Sequence, residues 1–463
     1  MTPRKPGLRP PCDPDFEPVV LAWRDYLDRA RASGGVPLRL AVEREDGLVS
    51  VFDTISPRKD DDPESTYRIV ERAVKFLLWS RGGWRVHIQG PAALGRRLKA
   101  DYAETGARAF DVRTMSRVYE RPFEVVLHSP ATFPEARESV HFPGGYLDGF
   151  RIGFDLGASD YKVAAVVDGE PVYSEEISWA PGEHADPEYH YRHIQAGLKK
   201  AAAHLPRVDA IGGSSAGIII RNQVRIASLF RSVPEDLFES KVKGLFDRLA
   251  AEWGVPFEVI NDGEVTALAG RLSLGEPGVL GVAMGSSEAA GFLDADGHIP
   301  GWLDELAFVP VDLGPRAAVD EWSGDRGVGA NYFSQQAVAR LASAAGLSFP
   351  ATMKLPDRLK EVQALLAGGN IPAARIFESI GVHLGYTIPW YEVFYAFRNL
   401  LVLGRVMSGP GGKIIVDKAA EVLASSFPET AARVRLHLLD EKSRRVGQAV
   451  AAASLPEMTG ARP

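Results

Sequence analysis

The sequence has very little cysteine, since Cys12 is the only one among 463 residues. A lone thiol excludes a framework of intramolecular disulfides, an all-cysteine zinc site and an iron–sulfur site built within one chain. Long apolar runs are also missing, because no stretch approaches the roughly 18–20 apolar residues of a membrane-spanning helix. The N-terminal sequence MTPRKPGLRPP is basic, but the apolar core of a secretion signal does not follow it. These absences predict a cytoplasmic protein with no membrane partner.

An excess of positive charge is absent as well. The 60 acidic residues outnumber the 53 Lys and Arg residues, and the formal net charge is -7 at pH 7. Proteins that bind nucleic acid usually carry a basic patch or stripe, so the composition predicts no nucleic-acid partner. The apolar content of 45% and the length are typical of a globular chain with two or three domains.

The first third of the chain has its own organisation. Residues 1–20 are rich in proline and polar residues, which predicts a flexible leader. Residues 36–55 read as a hairpin turning at Glu45–Gly47, and helix and strand patterns follow. We therefore predict an N-terminal α/β domain of unknown role over 21–149. It can be an unrelated domain or a degenerate copy of the unit that follows, and it can cover the active site, form the interface of a homodimer or bind a second ligand.

From Arg151 the pattern alternates between strands and helices, which indicates a layered α/β architecture. Predicted strands lie at 151–156, 162–167, 209–212, 257–260, 279–283 and 400–403. Predicted helices lie at 191–204, 235–253, 264–272, 334–345, 356–367, 373–397 and 417–426.

The stretch RIGFDLGASDYKVAAVVDG, 151–169, places a tight turn between two apolar strands. Asp155 stands near the end of the first strand, and Gly157 and Ser159 belong to the turn. Exposed amides, a hydroxyl and a carboxylate in such a turn suit a nucleotide phosphate and its Mg²⁺. The same pattern is also typical of an ordinary hairpin, in which Asp155 has no ligand.

A second segment, FEVINDGE at 257–264, delivers Asp262 where a strand meets a helix. A strand end is a rigid mount, and a carboxylate there can take the proton of a substrate hydroxyl as it attacks a phosphoryl group. The alternative is that Asp262 only caps the helix.

Two more glycine-containing turns follow. VLGVAMGSSEAAG, 279–291, repeats the strand–glycine–hydroxyl–strand pattern, which suits the outer phosphates of a nucleotide. LLVLGRVMSGPGG, 400–412, is an apolar strand that enters a glycine-rich turn before a helix, which suits adenosine. The candidate contacts are Gly285, Ser286, Ser287, Gly404, Gly411 and Gly412.

In this order the four segments resemble the ROK family of sugar kinases and repressors, in the actin/hexokinase/heat-shock ATPase superfamily. The resemblance covers roughly 151–426, and NDGEVTALAG resembles the NDAN-A-A-L segment of the family. It implies an actin-like (ribonuclease H-like) two-lobed α/β fold, with ATP and Mg²⁺ as cofactors. The implied kinase core spans 150–463, with lobes at about 150–262 and 263–430 and C-terminal helices to 456.

The resemblance also implies roles for single residues. Asp262 would be the catalytic base, Asn261 a contact to a sugar hydroxyl, and Asp155 a ligand of Mg²⁺ through the nucleotide. Glu305 in DELAF, 304–308, matches the glutamate of a family segment Glu-x-Gly-His that contacts sugar. The phosphate and adenosine contacts would be Gly157, Ser159 and the six turn residues named above.

Departures from the family are equally informative. Phe308 replaces the histidine of the sugar segment, and Ala330 replaces a further glutamate that contacts sugar. The family's cysteine-rich zinc segment reads EWSGDRGVG here, with Glu321, Ser323 and Val328 at the cysteine positions. No soft ligand remains, so we predict no zinc site.

Losing a buried polar contact typically costs on the order of 1–3 kcal/mol of substrate binding. Glucose, mannose or an N-acylated hexosamine bound in the usual way is therefore disfavoured, and Glu264 is one candidate for a replacement contact. The sequence predicts ATP-dependent phosphorylation of a sugar or sugar-like hydroxyl. One alternative is a catalytically inactive sugar sensor, regulator or scaffold with the same fold. Another is an ATPase that acts on a protein partner.

Overall fold

The computed structural model describes residues 4–138, 144–438 and 441–458. The chain divides into two compact units. Unit 1 comprises Met1–Ser139, Ala283–Ala289 and Gly301–Leu438, and unit 2 comprises Val140–Val282, Ala290–Pro300 and Leu439–Pro463. Residues 1–139 thus belong to the same unit as 301–438, whereas the separate N-terminal domain over 21–149 stays a prediction.

The N-terminal part of unit 1 contains α1 (Val19–Ala32), β1 (Val36–Glu43), β2 (Val49–Ser56), α2 (Pro63–Arg81), β3 (Arg85–Gln89), α3 (Ala92–Asp101), α4 (Ala109–Tyr119) and β4 (Glu124–Leu127). The sheet has the order β2-β1-β3-β4. The predicted hairpin is present, and its turn has positive φ at Asp46 (57°) and Gly47 (68°). Left-handed residues of this kind match the twist of two tightly joined strands.

The segment predicted to be a flexible leader donates backbone hydrogen bonds within unit 1. Leu8 N–H donates to the Tyr386 hydroxyl at 3.2 Å, and Cys12 N–H donates to Ser379 Oγ at 2.9 Å. Asp13 also forms an ion pair with Arg340 at 2.7 Å. Residues 8–13 are therefore held in place, contrary to that prediction, because their amides find side-chain acceptors. Residues 1–3 lie outside the described residues.

Unit 2 begins with β5 (Phe150–Leu156), β6 (Asp160–Val167), β7 (Glu170–Ser178), α5 (Pro187–Ala202), β8 (Ala210–Ser215), β9 (Ile218–Ile220), β10 (Gln223–Ile226), α6 (Glu235–Leu237), α7 (Leu245–Trp253), β11 (Phe257–Asn261) and α8 (Asp262–Leu274). Its five-stranded sheet has the order β11-β8-β5-β6-β7. The helix predicted at 235–253 is instead divided by a π-helical stretch, Phe238–Val242, and by Gly244. Glycine weakens a helix interior, and here it precedes the first residue of α7.

The two sheets share a series of pairings. In the N-terminal sheet β1 is antiparallel to β2 and to β3, and β3 is parallel to β4. In unit 2 β6 is antiparallel to β7 and to β5, and β5 is parallel to β8. The chain passes through these positions in a different order in the two sheets, and the degenerate copy stays a prediction.

The rest of the chain contains β12 (Val279–Met284), β13 (Glu288–Leu293), α9 (Gln335–Ala344), α10 (Leu355–Ala367), α11 (Ile371–Tyr391), β14 (Asn399–Leu403), α12 (Pro410–Ser426), α13 (Pro428–Arg433), β15 (Arg435–Leu438) and α14 (Glu441–Ala453). These strands form a sheet of order β13-β12-β14-β15. Helix α12 begins seven residues before its predicted start, so Gly411 and Gly412 lie in its first turn and not in a loop. Pro410 suits this position, because the first helical residue needs no amide hydrogen. None of the described helices is long and apolar enough to cross a membrane.

Candidate functional site

The parallel strands of unit 2 bring the predicted catalytic base and the predicted Mg²⁺ ligand to one edge of the sheet. Asp155 on β5 pairs in register with Ser214 on β8, and Asn261 on β11 pairs with Ser215. Asp262 follows as the first residue of α8. The carboxyl ends of neighbouring parallel strands are where ligands bind in open α/β sheets. The structure therefore places Asp155 and Asp262 at the same edge.

Asp155 is buried and held by two neighbours. Its Oδ1 accepts a hydrogen bond from Ser214 Oγ at 2.7 Å, and its Oδ2 lies 3.2 Å from Lys162 Nζ. Lys162 stands opposite Asp155 in the β5–β6 pairing. These contacts fix the orientation of the carboxylate. A turn residue without side-chain partners would have no such fixed orientation.

Asp262 is a half-buried carboxylate with a shifted pKa. Burial raises the pKa of Asp262 to about 6, and the negative charge of Asp155 adds to this effect. Hydrogen bonds from the amides of Asp262 and Gly263, and the charge of Lys162, oppose the shift. A carboxylate with a pKa near 6 is ionised at pH 7 and still basic enough to accept a proton.

The cap of α8 is formed by the neighbours of Asp262. Asn261 Oδ1 accepts from the Gly263 amide at 2.7 Å, and the Glu264 carboxylate accepts from the Asn261 amide at 3.3 Å. This is a capping box with Asn261 as the N-cap residue. The capping role considered for Asp262 is therefore wrong. Asn261 Nδ2 also donates to Gly217 O at 2.7 Å. Asn261 and Glu264, which were predicted to contact the sugar, therefore both have hydrogen-bond partners within the protein.

The start of α8 is packed tightly against β13. A methyl group on Gly263 would lie 1.9 Å from the carbonyl oxygen of Ala290, and one on Gly291 would lie 2.1 Å from that of Gly263. Distances this short are far inside van der Waals contact. Only glycine permits the approach, and the approach fixes the backbone next to Asp262.

The turn between β5 and β6 has the predicted tight form. The Gly157 amide donates to Asp160 O at 3.0 Å, and Trp179 Nε1 donates to Gly157 O at 2.8 Å. Ser159 is exposed, and its Oγ donates to Asp160 Oδ2 at 2.8 Å. The geometry permits phosphate binding by Gly157 and Ser159, which stays a prediction.

Two of the predicted nucleotide turns lie side by side in unit 1. The Gly285 amide donates to Ser287 O at 2.9 Å, which closes a turn whose serines are exposed. Gly404, with φ of 104°, is so close to β12 that a methyl group on it would lie 2.4 Å from Met284 O. The end of β14 therefore lies against the residue that precedes the turn.

Glu288, directly after this turn, was not singled out from the sequence. Its Oε1 accepts a hydrogen bond from the Tyr391 hydroxyl at 2.9 Å, and within the described residues its buried Oε2 has no hydrogen-bond partner. Burial raises the pKa of Glu288 to about 8, and the negative charge of Glu305 adds to the shift although the Tyr391 hydrogen bond opposes it. Glu288 is therefore mostly neutral at pH 7. The available signal was an acidic residue among the small residues of GSSEAAG.

The pH dependence of stability tests this assignment. Folded Glu288 keeps a proton that the unfolded chain releases near pH 4.5, so its contribution to stability falls as the pH rises from about 4.5 to about 8. The expected slope is up to about 1.4 kcal/mol per pH unit. Thermal unfolding of Glu288→Gln between pH 5 and 8 should lack this part of the slope. The exposed variant Glu104→Gln should keep it, and equal slopes in wild type and Glu288→Gln would contradict the assignment.

The loop that aligns with a zinc segment offers a poor donor set. Asp320 Oδ2 accepts from the Ser323 amide at 2.7 Å and from Ser323 Oγ at 2.6 Å, and Val328 is a buried apolar residue. These residues do not fit zinc, which prefers cysteine and histidine, and the absence of zinc stays a prediction.

In the described part of the chain, one group of three ligand-type side chains has its ligand atoms within 4.8 Å of one another, in the turn after β13 of unit 2. It consists of Asp294, Asp296 and His298.

No protein-family model and no curated protein matches the chain. Among solved structures, it is similar to a ROK-family transcriptional regulator, a homologue of the Escherichia coli Mlc protein, with 19% identity and a TM-score of 0.53 over 67% of this chain and 79% of that one. It is also similar to a ROK-family glucokinase from Streptomyces griseus in complex with glucose and AMPPNP, with 18% identity and a TM-score of 0.50 over 66% of this chain and 99% of that one. Similarities at sequence identities this low show a shared fold and do not show a shared function. The chain has the actin-like α/β fold of ROK proteins, which confirms the predicted fold class.

Proposed function

We propose that this protein transfers the terminal phosphoryl group of ATP to a hydroxyl of a sugar or sugar-like polyol. The observation that carries the proposal is the pair Asp155 and Asp262 at one edge of the sheet, with the pKa of Asp262 raised to about 6. The fold shared with a glucokinase that binds glucose and AMPPNP supports the same substrate classes here.

In this proposal Asp262 accepts the proton of the acceptor hydroxyl while the hydroxyl oxygen bonds to phosphorus. The bond from phosphorus to the bridging oxygen of ADP breaks in the same step. The mounting of Asp262 between β11 and a tightly packed helix start supports the role, because a general base needs a fixed position. Ionised at pH 7, Asp262 can take up the proton without prior deprotonation.

The cofactors belong to the proposal as well. Carboxylate oxygens are the ligands that Mg²⁺ prefers, so the carboxylate of Asp155 fits this ion. Bound Mg²⁺ would neutralise phosphate charge. Asp155, oriented by Ser214 and Lys162, would hold the ion through the nucleotide. The proposed nucleotide contacts are Gly157, Ser159, Gly285, Ser286, Ser287, Gly404, Gly411 and Gly412.

The acceptor side is proposed to consist of Asn261, Glu264 and Glu305. An amide and a carboxylate can bind several partners at once, so the role of Asn261 and Glu264 in the capping box is compatible with a contact to the acceptor. Because Phe308 and Ala330 offer no polar group, we expect a sugar or polyol other than glucose bound in the usual way. The proposed location is the cytoplasm, and a homodimer stays a prediction that light scattering can check.

Binding of nucleotide is the first experimental test. Calorimetry with ATP and Mg²⁺ should show saturable binding, and a screen of sugars and polyols with ATP should identify a phosphorylated acceptor, with Asp262→Ala as the blank. Failure to bind Mg²⁺–ATP would exclude the kinase. Hydrolysis that needs no acceptor would favour an ATPase acting on a protein partner.

A non-catalytic sensor is the second candidate function. Two observations favour it, namely the use of Asn261 and Glu264 in the capping box and the similarity in fold to a transcriptional regulator. A sensor would bind a sugar in calorimetry and leave ATP unconsumed in the same screen. Turnover that disappears in Asp262→Ala would exclude it.

A further inference from the structure

Helix α2 of the N-terminal part ends against the segment that carries Glu305. The Asp304 amide donates to Ser80 O at 2.9 Å, and the Glu305 amide donates to Trp79 O at 3.0 Å. The last carbonyls of a helix have no partners within the helix. Two consecutive amides of the segment supply these partners, so the backbone at Glu305 is attached to a rigid helix end.

The segment Trp302–Phe308, here called the acceptor segment, has an unusual backbone at Asp304. Its φ is 50°, a left-handed conformation that is uncommon outside glycine and that aspartate adopts more readily than most residues. The buried Asp304 carboxylate accepts from the Tyr395 hydroxyl at 2.7 Å. The Arg81 guanidinium, at the end of α2, lies 3.3 Å from the ring centre of Trp302. The backbone of Asp304 is thus held by α2, its carboxylate by Tyr395, and the neighbouring Trp302 by the end of α2.

Aromatic packing attaches the other end of the acceptor segment to the N-terminal part. The rings of Phe308 and Trp79 have centres 4.3 Å apart, and those of Phe308 and Phe110 are 5.6 Å apart. Both partners of Phe308 precede residue 139. Phe308, which stands where the family has a histidine, therefore has a packing role here.

A buried ion cluster attaches the neighbouring loop, 318–328, to the same helices. The Asp325 carboxylate lies 2.8 Å from Arg72 Nη1, 3.1 Å from Lys75 Nζ and 2.9 Å from Arg108 Nη1. Lys75 also pairs with Asp111 at 2.8 Å, and Arg72 and Arg108 pair with Glu71. The cluster holds three cations and three anions, so Asp325 balances its charge. Removing one partner from a buried ion pair leaves an uncompensated charge.

The loop and the residues that directly follow the acceptor segment are joined by backbone hydrogen bonds. The Val311 amide donates to Gly327 O at 2.7 Å, and the Gly329 amide donates to Val309 O at 3.0 Å. Pro310 and Val328 form an isolated β-bridge between them. A displacement of Asp325 therefore reaches the residues that follow Phe308 through a short and direct path.

We propose that the N-terminal part is a positioning element of the acceptor side, which holds Glu305 through α2 and through the cluster around Asp325. The assignment of Glu305 to the acceptor rests on the proposed function, whereas the attachment rests on the contacts above. In this proposal Asp325 is a positioning residue that acts on the acceptor through the loop.

Hydrogen exchange measured by mass spectrometry on the full chain tests the attachment. In Asp325→Asn, peptides that cover 302–311 should exchange at least about tenfold faster than in wild type, because the cluster no longer holds the loop. Peptides covering β14 should be unchanged. Glu321→Gln, an exposed acid-to-amide change in the same loop, should match wild type. Unchanged exchange at 302–311 in Asp325→Asn would overturn the proposal.

Steady-state kinetics separate positioning from general destabilisation. With the sugar that wild type phosphorylates fastest in the screen, KM for that sugar should rise at least about tenfold in Asp325→Asn, and Asp325→Glu should restore most of the loss. Calorimetric affinity for Mg²⁺–ATP should stay within about twofold of wild type. An equal loss for sugar and nucleotide would overturn the positioning role. If wild type phosphorylates nothing, the proposed function fails, and the exchange experiment still decides the attachment.

A second variant covers the case in which Asp325→Asn does not fold. Phe308→Leu removes the ring contact with Trp79 and leaves the ion cluster intact. It should raise exchange at 302–311 while circular dichroism shows a folded chain. Wild-type exchange in Phe308→Leu would then overturn the proposal.

Discussion

Replacing Asp262 by Asn is expected to lower kcat for phosphoryl transfer by about 10²–10⁴-fold, the usual contribution of a general base. Asparagine has nearly the same size and cannot accept the proton, so the change removes the chemistry and keeps the packing at the start of α8. Calorimetry should show that Mg²⁺–ATP still binds. A coupled assay with the acceptor found in the screen measures the rate.

The pH dependence of kcat/KM is an independent test of the role of Asp262. Only ionised Asp262 can act as a base, so kcat/KM of wild type should rise with pH through about 6 and then level off. Asp296→Asn, an exposed change of the same kind in unit 2, should keep the wild-type rate and profile. A wild-type rate in Asp262→Asn would show that the base is another group.

Replacing Gly263 by Ala is expected to destabilise the fold by about 3 kcal/mol, the upper end of the usual cost of overpacking. The new methyl group would lie 1.9 Å from Ala290 O, and a backbone carbonyl cannot rotate away as a long side chain can. The helix start must then shift, which also displaces Asp262. Urea unfolding measures the loss of stability.

Gly244→Ala is the matched control, because a methyl group at Gly244 meets no other atom within 4 Å and its φ is -94°. Its free energy of unfolding should differ from wild type by less than about 0.5 kcal/mol. Similar losses of unfolding free energy in both variants would contradict the explanation that the close approach of Gly263 to Ala290 O causes the destabilisation.

The parts of the site that could be predicted are encoded in short segments of the sequence. The turn after β5 and the carboxylate after β11 are each encoded within about ten consecutive residues, and the structure places Asp155 and Asp262 at one sheet edge. The capping box was also readable, because Asn261 is followed three residues later by Glu264. This spacing in the sequence predicts Asn261 as the N-cap residue.

Residues that depend on pairing between strands could not be predicted in the same way. Lys162 and Ser214 become partners of Asp155 only through the register of β6 and β8 with β5. Burial raises the pKa of Glu288, the hydrogen bond from Tyr391 opposes this shift and the charge of Glu305 adds to it, and all three effects arise only in the folded chain. No local pattern contains these relations.

The apolar spacing that predicted a helix to residue 397 also shows a limit of periodicity. Helix α11 ends at Tyr391, and Phe394, Tyr395 and Phe397 remain buried in the turns that follow. Buried aromatic residues continue the helical spacing beyond the helix, because the same core covers both segments. Periodicity reports burial, and here it does not mark the end of the helix.

The ion pair between Arg72 and Asp325 joins residues 253 positions apart. At a synthesis rate of roughly 5–20 residues per second, Arg72 is added to the chain about 13–50 s before Asp325. During that interval the cations of α2 lack one of their balancing charges, and the carbonyls at its end lack the amides of Asp304 and Glu305. We expect nascent chains that stop before residue 304 to remain sensitive to proteases in their first 139 residues, and chaperones to bind there until translation has passed Asp325.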